Sequence, residues 1–185
     1  MKKLYIFLIV MLFLPFFAKG AELTLQKTFE IIGKNDTFEI SLFLNTEDES
    51  INALEVEIGY SDNLKLEGIT DGNSIINLWI KKPTAENFKN GNIFLSGLIP
   101  GGLTIKEGAI LTFTFKNVSE GKGYVLVKDA KVLRNDSEAS ETKLSFKNLE
   151  FNIGSARTQN QTGEKLILDF SPPDEFEIYL TKDKN

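Results

Sequence analysis

The chain is written in period two. Phe38, Ile40, Leu42 and Leu44 alternate with Thr37, Glu39, Ser41, Phe43 and Asn45. Leu54, Val56, Ile58 and Tyr60 alternate with Glu55, Glu57 and Gly59, and Leu111, Phe113 and Phe115 with Thr112, Thr114 and Lys116. Successive side chains of a strand point to opposite faces, so each run reads as a strand with one buried face and one wet face. The same reading places strands at 21–26, 64–69, 75–80, 92–99, 124–127, 130–133 and 144–153. In the last of these the apolar parity shifts between Phe146 and Leu149, which predicts a bulge. Turn chemistry separates the runs, as at Ser61-Asp62-Asn63, Asp71-Gly72-Asn73, Pro100-Gly101-Gly102 and Asn135-Asp136-Ser137. Short strands at this spacing, with no long amphipathic helical stretch, predict an all-β, two-sheet sandwich. Residues 82–89 are the one place where a helical turn fits.

The first twenty residues read as an address. Lys2 and Lys3 precede an apolar run from Leu4 to Phe17, and Ala18-Lys19-Gly20 supplies small residues for cleavage before Ala21. That is the pattern of a secretory signal peptide at 1–20, with an uncleaved N-terminal anchor as the alternative. A secreted protein is expected, with one domain over 21–154. Residues 155–165 are polar and read as a linker, and 166–170 and 176–180 are short strand-like runs on either side of Pro172-Pro173. The whole of 155–185 is therefore expected to be a linker and C-terminal extension, with no segment after cleavage that would insert in a membrane.

Composition then removes function classes. Taking away Lys2, Lys3 and Lys19 leaves 18 basic residues against 26 acidic ones, a net charge of −8. That sign disfavours nucleic acid and anionic membranes as partners. Cysteine and histidine are both absent. A Ser-His-Asp triad, a histidine general base, thiolate or imidazole metal sites and disulfides are excluded with them. Two carboxylates would suffice for a glycosidase. Here the carboxylates alternate outward on strands or sit in turns, so no enzyme is expected and no cofactor is implied.

Five segments share a cadence: 51–64, 72–79, 91–102, 108–115 and 129–136, from Ile51-Asn-Ala-Leu-Glu-Val-Glu-Ile-Gly-Tyr60 through Asp129-Ala-Lys-Val-Leu-Arg-Asn-Asp136. Their order and spacing resemble a cohesin-like domain of the family 2/3 carbohydrate-binding-module superfamily. The resemblance implies a nine-stranded jelly-roll sandwich, non-catalytic and extracellular. It implies docking of a dockerin-like protein module, or binding of polysaccharide, in assemblies that degrade polysaccharides or sit at the cell surface. Carried over by position, the docking face takes Ala53, Glu55 and Glu57 from one strand and Phe94, Ser96 and Leu98 from another. Where the resemblance implies an Asn-x-Asp pair, this chain has Ala53-x-Glu55; the carboxylate is kept in kind and the amide is lost.

Other readings stay beside this one. Trp79, the only tryptophan, is a possible carbohydrate contact, although a lone indole before Lys81-Lys82-Pro83 reads better as a core or loop anchor. Glu47-Asp48-Glu49, Asp71-Gly72-Asn73 and Asn135-Asp136-Ser137 lack EF-hand spacing and fall at turns, so no metal site is assigned to them. A structural spacer or adhesion module of a surface protein is the alternative function.

Overall fold

Alternation of this kind leaves each sheet with one apolar face, and two such faces bury each other. The computed structural model describes residues 20–29, 32–84 and 91–154. It contains β1 (Ala21–Lys27), β2 (Thr37–Asn45), β3 (Ile51–Tyr60), β4 (Leu64–Thr70), β5 (Leu78–Lys81), β6 (Asn92–Leu103), β7 (Gly108–Asn117), β8 (Gly121–Arg134), β9 (Leu144–Lys147) and β10 (Leu149–Ile153). One sheet has the order β4-β7-β2-β1-β9 and the other β10-β8-β3-β6-β5. Every neighbouring pair is antiparallel except β1 and β9.

The apolar parity read from the sequence is the inward parity. In the first sheet Phe38 faces Phe115, Ile40 faces Phe113 and Leu42 faces Leu111. In the second, Val56 lies between Leu95 and Ala130, and Ile58 between Ile93 and Val127. Rings join the two layers: Phe38 of the first sheet and Phe151 of the second meet edge to face with centroids 5.8 Å apart, and Tyr60 lies 5.2 Å from Phe115. Half-burial there raises the Tyr60 hydroxyl above its ordinary pKa, because the phenolate would have to be desolvated.

Several expectations are corrected. Ten strands are present among the described residues, where the resemblance implied nine. The parity shift between Phe146 and Leu149 is a change of sheet, not a bulge: β9 pairs with β1, and one residue later β10 pairs with β8. Asn148 sits at that crossing, and its side-chain oxygen accepts the Val127 N–H at 2.9 Å. The runs at 124–127 and 130–133 belong to one strand, β8, whose pairing with β3 skips Lys128 between Val127 and Asp129. The strand expected at 75–80 begins at Leu78. Residues 82–84 have no regular structure, and the rest of the expected helical turn lies outside the described residues. The expected signal peptide at 1–20, except Gly20, and the expected extension 155–185 lie outside them too.

Phe113 is fully buried and its ring lies tilted beside that of Phe115, with centroids 6.2 Å apart. Phe113→Ala is expected to lower the unfolding free energy by about 3–5 kcal/mol, measured by urea denaturation. A loss below 1 kcal/mol would contradict this packing.

Candidate functional site

Reversing the parity of β3 gives the outer face of the second sheet. Cross-strand register places Ala53 opposite Leu98, Glu55 opposite Ser96 and Glu57 opposite Phe94. On the other side of β3, Ala53 faces Leu133, Glu55 faces Lys131 and Glu57 faces Asp129. Strand β5 adds Leu78 beside Leu98 and Lys81 beside Ser96. All six positions expected on a docking face therefore share one surface.

Their accessibility differs. Phe94 is 42 % exposed, Glu55 is exposed, and Ala53, Glu57 and Leu98 are half-buried. Ser96 is 8 % exposed although its register is outward. Its neighbours across the strands are Lys81 and Glu55, longer side chains than its own. Two shallow depressions, of about 250 and 350 Å³, share Glu55, Ser96 and Lys131 in their walls. Phe94 and Asp129 line only the first, Ile80 and Leu98 only the second. Leu78 and Leu98 thus lie side by side at one end of the face, Ser96 and Lys81 separate them from Phe94, and Glu55, Glu57, Asp129 and Lys131 supply charge from β3 and β8.

The electrostatics of the face are lopsided. The Lys81 ammonium lies 4.7 Å from the centroid of the Phe94 ring, within cation–π range. Lys131 reaches Glu141 at 3.7 Å. Glu57 and Asp129 stand directly opposite each other on neighbouring strands, a like-charge pairing that disfavours the sheet. Among the described residues neither forms an ion pair. Gly59 bounds the face: a β-carbon there would lie 2.5 Å from Lys128 Cε, so the bare backbone lets the lysine stem pass across β3. Lys128 Nζ then donates to the Asn92 side-chain oxygen at 2.6 Å.

Trp79 points the other way. It pairs with Gly97, packs against the core and donates from Nε1 to Asp71 Oδ2 at 3.1 Å. A side chain at Gly97 would meet Ile76 at 2.4 Å, so the inner layer is tight here. The exposed large aromatics among the described residues are Phe94, Tyr124 and Phe146, and they stand on β6, β8 and β9 rather than beside Trp79 on β5. The three acidic turns are occupied by the protein itself. Asp71 takes Lys82 Nζ at 2.7 Å. Glu49 takes Arg134 Nε at 3.2 Å and the Thr142 hydroxyl. Asp136 accepts the N–H groups of Ser140 and Glu138 at 2.9 and 3.2 Å, and hydrogen bonding to Ser140 is the main reason its pKa is lowered. No group of three potential metal-ligating side chains occurs among the described residues.

Ile80, Lys81, Asp129 and Lys131 were not among the residues singled out by sequence. Their parity is visible in the chain, but their place on this face depends on β5 and β8 flanking β6 and β3.

No family model matches the chain, and no curated protein matches it. Solved structures do. A non-cellulosomal cohesin from the archaeon Archaeoglobus fulgidus superposes with a TM-score of 0.58 at 11 % identity, covering 74 % of this chain and 93 % of that one. A cohesin module of a family 33 glycoside hydrolase from Clostridium perfringens gives 0.58 at 14 %, covering 74 % and 98 %. A cohesin of a type I cohesin–dockerin complex from Clostridium thermocellum gives 0.58 at 12 %, covering 74 % and 94 %. The fold is cohesin-like.

Asp71 ties β5 down through Trp79 and Lys82, and the Lys82 hydrogen bond is the main cause that lowers its pKa. The folded state prefers the carboxylate, so this stabilisation is present at neutral pH and lost as pH falls through the depressed value. Asp71→Asn is therefore expected to be less stable than the parent near pH 7, with the gap between their unfolding midpoints closing on acidification. Fluorescence of the single tryptophan follows both. A gap independent of pH would contradict the assignment.

Proposed function

We propose that the chain is an exported, non-catalytic docking module, with a signal peptide at 1–20 and one domain over 21–154, that binds a protein module of dockerin type on the outer face of its second sheet. The observation that carries this reading is the meeting of an exposed Phe94 with the like-charged pair Glu57 and Asp129. An aromatic anchor set among charges is the usual makeup of a protein interface. A partner that lays one apolar side chain on Phe94, another on Leu98 and a basic one between Glu57 and Asp129 removes the apolar exposure and the repulsion together. The cohesin-like fold supports the same partner class, since the Clostridium thermocellum relative was solved in a cohesin–dockerin complex. A polysaccharide partner has less support, because the described surface offers no row of exposed aromatic rings beside Trp79.

The test is retention of the mature domain by a panel of dockerin modules and by insoluble polysaccharides. Binding to a dockerin module is expected to weaken at least tenfold, about 1.4 kcal/mol, in Phe94→Asp and in Glu57→Lys. The unfolding midpoint of Phe94→Asp should stay close to the parent's, because Phe94 lies outside the core, and that of Glu57→Lys should not fall, because a lysine there faces Asp129 with the opposite charge. Raising the salt concentration should weaken the parent complex. Retention by polysaccharide and by no protein module would overturn the proposal. Unfolding of Phe94→Asp would show that this side chain belongs to the core.

A further inference from the structure

Of the exposed large aromatics among the described residues, Phe94 lies under the Lys81 ammonium, and Phe146 pairs with the buried Leu23 at the edge of the first sheet. Tyr124 is different. It stands on the first half of β8, between the buried Gly123 and Val125, so its side chain is on the outer face and 41 % exposed. Glu150 of β10 is directly opposite it, and Lys122, one outward position back, is opposite Asn152. These four exposed side chains line a depression of about 380 Å³. Among the described residues, none of the four side chains makes a hydrogen bond, ion pair or ring contact.

The backbone beneath them is pinned from both sides. Ser61 N donates to Tyr124 O, Tyr124 N donates to the Ser61 hydroxyl, and Asn63 Nδ2 donates to Lys122 O, each at 3.1 Å. On the other side β10 pairs along the strand, and its Phe151 ring packs across the bare backbone of Gly123, where a β-carbon would lie 2.5 Å from it. Phe38 holds that ring edge to face at 5.8 Å. Free polar groups on a fixed frame are a preorganised site, since little backbone ordering remains to be done on binding.

The four groups define the ligand by their chemistry. One ammonium and one carboxylate cancel, so the site demands no net charge. The ammonium donates, the carboxylate accepts, and the amide and phenol do both. The tyrosine ring adds an apolar face beside them. A pyranose answers each point: it is neutral, has C–H groups on its faces and hydroxyls around its rim. The volume is at the small end of ligand sites, about 300–1,000 Å³, and suits one or two sugar rings.

We infer that Tyr124, Lys122, Glu150 and Asn152 form a subsite for a neutral saccharide, with one sugar ring stacked on Tyr124 and its hydroxyls bonded by the other three. A single aromatic ring holds one unit of a soluble chain and is no platform for an insoluble polysaccharide. Asp129 lies on the same face of β8, four strand steps away once the skipped Lys128 is discounted, about 14 Å. The saccharide and a docked protein would therefore occupy separate ground, and the inference does not rest on the proposed function.

NMR titration of the chain 21–185 with cellotetraose, xylotetraose, mannotetraose and tetra-N-acetylchitotetraose, each at about 10 mM to reach millimolar affinities, tests it without a protein partner. At least one is expected to shift the amides of 122–124 and 150–152. Tyr124→Ala should weaken that binding at least tenfold with the unfolding midpoint unchanged, Tyr124→Phe should keep most of it, and Glu150→Ala should lose at least threefold. No shift with any of the four would overturn the inference. So would shifts confined to the surroundings of Phe94 or Trp79, affinity unaltered by Tyr124→Ala and Glu150→Ala, or binding of tetragalacturonate alone, which would make the ligand an anion. Shifts at 122–124 caused by a dockerin module and by no saccharide would overturn it too, by making the depression part of a protein interface.

Discussion

The position of β3 between β6 and β8 is the constraint on which the rest depends. Its inward residues Leu54, Val56 and Ile58 are at most 3 % exposed, and each has a strand partner on both sides. A slip of one residue would put these side chains in water and draw Glu55 and Glu57 into the core, at a cost far above the marginal stability of a domain. Burial on one side therefore dictates display on the other. Glu55 and Glu57 lie where they do because Val56 and Ile58 cannot lie anywhere else.

From that fixed register the properties of the outer face follow. Pairing with β6 brings Phe94 beside Glu57, and pairing with β8 brings Asp129 to its other side. Skipping Lys128 is what aligns Asp129 with Glu57, and the displaced lysine uses the bare backbone of Gly59 to reach Asn92. Apolar exposure and like-charge repulsion are both unfavourable in the isolated domain. In the proposed docking a complementary partner relieves both, so affinity and sign preference would come from the same residues.

Much of this was legible in the chain, for a physical reason. Alternation reports which side of a strand is dry, so the inward set of β2, β3 and β7 and the outward parity of Glu55 and Glu57 are read directly, whereas Ala53, Phe94, Ser96 and Leu98 come to the face only through the family resemblance. Alternation does not report which strands are neighbours. Asp129 and Lys131 escaped notice because they join the face only through the order β8-β3-β6 and the irregularity at Lys128. Ser96 reads as outward and is covered, because its environment is set by Lys81 and Glu55 from distant parts of the chain. The step at Asn148 differs from the expected bulge for a related reason: a bulge and a change of sheet both reset parity, and only the partners, β1 before and β8 after, tell them apart.

Docking on one face of one sheet, as proposed, is directly measurable because the chain has no cysteine. Single cysteines at Glu55, Phe94 and Leu98 on the second sheet, and at Thr112 and Thr114 on the first, can each be alkylated with and without a saturating dockerin module that the domain retains. Slowed alkylation at the first three positions with unchanged rates at the last two is the predicted result. Protection of Thr112→Cys and Thr114→Cys, or none at Phe94→Cys, would contradict the account.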